Sequence, residues 1–197
     1  MGAYNLRAAA VIHRSAGMCR YSGRRRVTGD AVGHEGRADV RLRAHTLLCL
    51  QGFRGEGYSP SFIDNLARIH RDLAEHPDQW VEVVDAPDTV CGACPHLASA
   101  GCSLRGDGFE ESMQAQDRHV LRLLGLNAGI RVQWSEILDR IRATITGDSL
   151  PSICGQCRWL PLGYCREGIE RLRAAGSAAS GRLIPAQELR RGRMEPS

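Results

Sequence analysis

Three thiols fall within "CGACPHLASAGC", Cys91 to Cys102, and three more within "CGQCRWLPLGYC", Cys154 to Cys165, with the same spacing of CxxC, seven residues and a third cysteine. A CxxC turn aims two sulfurs at one point, which suits a tetrahedral zinc ion or two irons of a cluster, and amides of the turn can hydrogen-bond the sulfurs. Gly92 and Gly155, each following the first cysteine, are expected to supply the backbone freedom of such a knuckle. The repeat therefore reads as two thiolate cups. Each offers three ligands, whereas a closed zinc site or a fully ligated cubane needs four.

Cys49, in "RLRAHTLLCLQGFRGEGYSP", is the candidate that would close one cup. If "HTLLCLQ" is helical, His45 and Cys49 share a face one turn apart and either meet one metal or place His45 behind the ligand. The alternative is a small core residue between leucines. His45, His96 and His119 are the candidates for an eighth ligand, unless an iron stays open to solvent or substrate. Cys19 reads as a free thiol. Downstream, Arg54 lies among three glycines, either as a fork over an anion pocket or as part of a plain turn between helices.

The elements that must carry these residues are short. "VRLRA" (40–44), "WVEVVD" (80–85) and "GIRVQW" (129–134) read as strands. Ser59 and Pro60 form an N-cap and first-turn pair ahead of Phe62, Leu66, Ile69 and Leu73 at helical spacing. Met113, Val120, Leu121 and Leu124 predict a second helix, and Ser135 is expected to cap a third with Ile137, Leu138, Ile141 and Ile145 inside. A fourth runs from Cys165 with Ile169 and Leu172 inward, Glu167 pairing with Arg171, and ends near Gly176 before the linker-like "SAASGRL". The fold class expected is α+β: a small, mostly helical domain with a two- or three-stranded sheet and cysteine-rich metal-binding loops.

The chain has 197 residues and a net charge of +4. Residues 1–37 hold seven arginines against two acids and are expected to form a basic, disordered tail. Residues 38–176 hold fifteen arginines against eighteen acids and form the expected cysteine-rich domain, followed by a flexible tail over 177–197. The domain itself carries no electrostatic footprint for nucleic acid. All 26 basic residues are arginine, which excludes a Walker A phosphate loop, a PLP Schiff base and a lysine general base. No stretch has the length of a membrane span, and the start shows neither a secretory signal nor an anchor. Cytoplasmic placement is therefore expected, where clustered cysteines bind metal or do redox chemistry more often than they form disulfides.

"LRAHTLLCLQGFRGEGYSPSFIDNLARI", "VVDAPDTVCGACPHLASAGC", "VLRLLGLNAG" with Trp134, and "ICGQCRWLPLGYC" resemble, in that order, a small uncharacterised family of bacterial and archaeal proteins, a domain of unknown function suspected of iron–sulfur binding. The resemblance implies that Cys49, Cys91, Cys94, Cys102, Cys154, Cys157 and Cys165 stand at the family's cysteine positions. It also makes Arg43, His45, Gln51 and Gly52 pocket candidates. Thr46 stands where the family often has a second histidine, and the last triplet is usually tighter than "RWLPLGY" makes it here.

Together these readings predict an iron–sulfur protein with a 4Fe–4S cluster on Cys49, Cys91, Cys94 and Cys102, and the second triplet holding another cluster or zinc. Its role would be electron transfer with a redox partner protein, or chemistry at an open iron near His45 and Arg54. The alternative is a zinc-stabilised interaction module without activity. A dithiol enzyme using CGAC or CGQC ranks last, because no βαβ pattern accompanies the motifs.

Overall fold

The structure, a computed structural model, describes residues 40–180. The expectations for residues 1–37, for Cys19 and for the tail from 181 lie outside the described residues. Six helices and two small sheets follow one another in an α+β arrangement. Strand β1 (Val40–Arg43) leads directly into helix α1 (Ala44–Gly52), and helix α2 (Pro60–Glu75) precedes strand β2 (Trp80–Val84). A short 3-10 turn at Cys91–Ala93 leads to the two-residue strands β3 (Leu97–Ala98) and β4 (Gly101–Cys102). Helix α3 (Phe109–Leu124), strand β5 (Ile130–Gln133), helix α4 (Trp134–Thr144), helix α5 (Leu150–Cys154) and helix α6 (Tyr164–Ser180) complete the chain.

The larger sheet has the order β1-β2-β5, with β2 parallel to β1 and antiparallel to β5. Val40 stands opposite Val81, and Val81 opposite Val132, so one branched row is shared by all three strands. Leu42, Val81, Val83 and Val132 are buried beneath Leu47, Leu48 and Leu50 of α1 and Val120, Leu121 and Leu124 of α3 in one core cluster. Helix α2 starts as its sequence dictates: Ser59 Oγ accepts from Phe62 N at 3.2 Å, Pro60 occupies the first turn, and Phe62, Leu66, Ile69 and Leu73 are buried. Gly125, at φ +63°, ends α3 in the left-handed conformation that glycine tolerates.

Three local expectations are corrected. Ser135 does not cap α4; it lies inside the helix, whose first residue is Trp134. The free amides of that first turn are taken by loop carbonyls instead, Trp134 N by Gln79 O at 2.9 Å and Ser135 N by Pro77 O at 2.7 Å. Helix α6 runs to Ser180 rather than ending near Gly176. The β3–β4 hairpin is an addition to the three expected strands, and it carries Cys102.

Helix α1 packs closely across α6, and two glycines permit it. A Cβ on Gly52 would lie 2.5 Å from the Cα of Cys165, and one on Gly168 would overlap the carbonyl oxygen of Gln51. This crossing brings the helix of Cys49 onto the helix of Cys165.

Candidate metal centre

The seven cysteines of the described residues are all free thiols, each partly exposed. Cys49 sits on α1 facing Cys154, Cys165 and Cys157, and it is these three, with Asp117, whose charges bear on it. Burial first, then those neighbouring thiols, push Cys49 well above the ordinary thiol range. Burial and the charges of Cys157 and Cys165 raise Cys154 to about 12, and burial followed by Cys157 raises Cys165. The structure thus sets Cys49 with the second triplet, where the sequence reading had placed it with the first.

Each of the four reaches the cup from a different piece of chain. Cys154 ends α5, and Cys157 closes the CxxC turn by donating its N–H to Cys154 O at 2.7 Å. Gly155 is needed there for space rather than torsion: its φ is −52°, and a Cβ would meet Pro151 O at 2.6 Å. The long insert before Cys165 folds as a 3-10 turn, Leu160–Leu162, ended by Gly163 at φ +77°. That turn reverses the chain and delivers Cys165 to the start of α6, against Gly52.

The first triplet stands on the turn and hairpin that follow β2. Cys94 N donates to Cys91 O at 2.9 Å, the same closed turn as at Cys154–Cys157, and Cys102 follows on the hairpin. Cys91 is raised to about 12 by burial and by Asp88, and Cys94 is raised by burial, with Cys102 and Asp88 as neighbours. Nothing in the open space around Gly92 explains why it is glycine.

Beneath the first cup lies a buried ionic network centred on Arg43, which is 2 % exposed. Its Nε donates to Asp117 Oδ2 at 2.7 Å, and its terminal nitrogens to both oxygens of Glu110 at 3.0 and 2.9 Å. Glu110 Oε2 also accepts Cys102 N at 2.7 Å. Asp88 accepts Arg43 N at 2.7 Å and Thr46 Oγ1 at 3.2 Å on one oxygen, and Cys91 N at 2.8 Å on the other. Two backbone amides of the cup are therefore fixed by carboxylates anchored on Arg43 and its strand. Burial works against ionisation of Asp117 and Glu110, but their hydrogen bonds and the Arg43 charge hold both below the ordinary carboxylate range.

His45 extends the network. Asp117 Oδ1 accepts its backbone N–H at 2.9 Å and lies 2.7 Å from its Nδ1. The ring borders a cavity of about 690 Å³, whose wall also includes Cys49, Cys154 and Cys157. Tyr58 lies between the two cups. Its ring meets His96, two residues beyond Cys94, edge-on at 5.0 Å, and Trp159, two residues beyond Cys157, at 4.8 Å. Burial, then Cys157, Cys49, Cys94 and Cys102, raise its phenol well above the usual range.

The remaining candidates lie elsewhere. Arg54 pairs with Glu167 and stacks 4.2 Å over the Tyr164 ring, so the glycine-rich segment is a turn tied to α6, and the expected Glu167–Arg171 pair gives way to this one. Gln51 turns back on its helix, donating to Leu47 O at 2.9 Å, and borders a smaller, mostly apolar cavity of about 180 Å³. His119 is half-buried on α3. Asp88, Glu110 and Asp117 went unremarked in the sequence. Asp117 had a signal, standing on the apolar stripe of α3 four residues after Met113 and fully buried.

Among the described residues no three Cys, His, Asp or Glu side chains stand close enough together to hold a metal ion. No helix among them is long and apolar enough to cross a membrane.

A small α+β domain with two cysteine triplets beside a buried salt-bridge network is the class that the fold and site define. Residues 57–163, just over half of the chain, match the family described as a protein of unknown function, DUF1284, and the chain belongs to that family. The match takes in five of the seven cysteines; Cys49 and Cys165 lie outside it. Neither a curated protein nor a solved structure matches the chain.

Proposed function

We propose that this protein binds an iron–sulfur cluster, a 4Fe–4S centre held by Cys49, Cys154, Cys157 and Cys165, and serves in electron transfer with a redox partner protein. The observation that carries this reading is that Cys154, Cys165 and Cys157 neighbour Cys49, three of the four bordering the large cavity. Four soft donors are the complement that a closed cubane takes. A lone zinc ion holds its sulfurs at about 2.3 Å, close around one point. Cys49, Cys154 and Cys157 border a cavity of about 690 Å³, room for a guest larger than one ion.

A cluster there would take up and give back single electrons. The chain's own part is to hold four sulfurs on three helices and a turn, and to shield them with Tyr58 and Trp159. The first cup, left with three cysteines once Cys49 is assigned, supports a second centre with one position open, which would suit binding of a ligand at metal.

Iron, acid-labile sulfide and zinc are to be measured per chain on protein purified without oxygen, beside its visible spectrum. About four irons and four sulfides mean one filled cup, and about eight of each mean both. A colourless protein with zinc and no sulfide would overturn the redox reading and leave a zinc-stabilised module.

A further inference from the structure

Helix α3 lines the large cavity with one stripe. Phe109, Ser112, Met113 and Gln116 all border it, at spacings of three and four residues that fall on a single helix face. Cys154, at the end of α5, borders the same cavity. Gln116 is the residue of the stripe that meets this thiol, and its side chain is hydrogen-bonded to Cys154. The amide reaches sulfur through its N–H, which donates, and the sulfur accepts.

The backbone beneath Gln116 is pinned. The next residue, Asp117, is fully buried and accepts Arg43 Nε at 2.7 Å and the backbone N–H of His45 at 2.9 Å, so this turn of α3 is tied to β1 and α1. Burial, Cys157 and Cys165 all work against a thiolate at Cys154, and Gln116 works for it. Among the described residues no Asp or Glu borders the cavity, so no carboxylate on that wall opposes the amide. An N–H donated to a ligating sulfur draws electron density from it. That stabilises the more negative, reduced state of an iron–sulfur centre and raises its potential.

We propose that Gln116 tunes the centre held by Cys49, Cys154, Cys157 and Cys165, setting its reduction potential higher by donating to the Cys154 sulfur. It acts through Cys154 and adds no ligand of its own. The inference rests on the iron–sulfur reading and deepens it.

The test compares the full-length wild type with Gln116→Leu, Gln116→Met and Gln116→Glu, all purified without oxygen. Iron and sulfide are assayed on each sample, and midpoint potentials are read by spectroelectrochemical titration. Leu and Met remove the donor, Met with an unbranched chain that spares the packing, whereas Glu keeps the shape and puts an acceptor in its place. Iron and sulfide are expected to be equal in all four. Leu and Met should shift the reduction equilibrium roughly tenfold toward the oxidised form, a potential about 59 mV lower for one electron, and Glu should lower it further. Where both triplets are filled, one potential moves and the other stays. Equal potentials in the wild type, Leu and Met proteins overturn the inference. So does a fall with Glu alone, which is the effect of a charge and not of a lost hydrogen bond. Loss of iron from both Leu and Met proteins also overturns it, since Gln116 would then build the site and not tune it. A brown wild type whose potential no variant moves sinks this inference alone, and a wild type without iron and sulfide sinks the iron–sulfur reading and this inference with it.

Discussion

Arg43 is the one cation between two carboxylates, Asp117 and Glu110, and both lose their compensation if it goes. Replacing it with Met keeps the volume and strands the two acids, so Arg43→Met is expected to lose about 3–5 kcal/mol, read as a lower urea midpoint. Asp117 makes the same point through pH. Its folded carboxyl is depressed below the ordinary 3.8, so its stabilising contribution is complete above about pH 5 and is lost as pH falls through 3.8 toward the lower folded value. Urea midpoints measured from pH 7 to pH 2 should fall more steeply for the wild type than for Asp117→Asn. Asn cannot be titrated, and the variant should already be less stable at pH 7. Equal slopes would mean that Asp117 titrates as it does in the unfolded chain.

At the scale of elements, the α1–α6 crossing decides which thiols meet. Gly168 lies against the Gln51 carbonyl with no room for a methyl group. Gly168→Ala should therefore push the helices apart, at a cost of about 1–3 kcal/mol, and part Cys49 from Cys165. Iron bound at the second cup should fall with it, while the first cup, remote from that crossing in the chain, keeps its content.

The crossing also shows where sequence reading stops. Helices α2 and α3 were legible because four apolar residues recur at helical spacing in each, and the three strands because branched residues cluster in them. The two CxxC turns were legible, since their spacing is local, and both close with the fourth residue's N–H on the first residue's carbonyl. The partner of Cys49 was not, because no local pattern records which of two distant cups a helix will cross. The β3–β4 hairpin escaped because two-residue strands have no alternation to read. Ser135 misled because loop carbonyls, placed by the tertiary fold, did the work of a cap. Asp117 was visible as a letter on the apolar stripe, but its meaning needed Arg43 beside it.

For the whole molecule, the two cups are separable in the chain and are expected to be separable in content. Cys49→Ser should lower iron and sulfide to about half of a doubly loaded protein, and Cys91→Ser should spare the centre that Cys49 closes. If Cys49→Ser leaves both contents unchanged, Cys49 is not a ligand, and Cys154, Cys157 and Cys165 need another fourth partner.

The position of Cys49 also sets an order of events while the chain is being made. The first cup is written in one stretch, from Cys91 to Cys102, whereas the second needs position 49 to wait for position 154 and beyond. At ordinary synthesis rates that interval is roughly 5–20 s. During it Cys49 is an unaccompanied thiol on a helix whose crossing partner does not yet exist. A nascent chain halted after Cys102 could load one cup only, and arrest at that point followed by an iron assay would reveal whether the cell fills them in sequence.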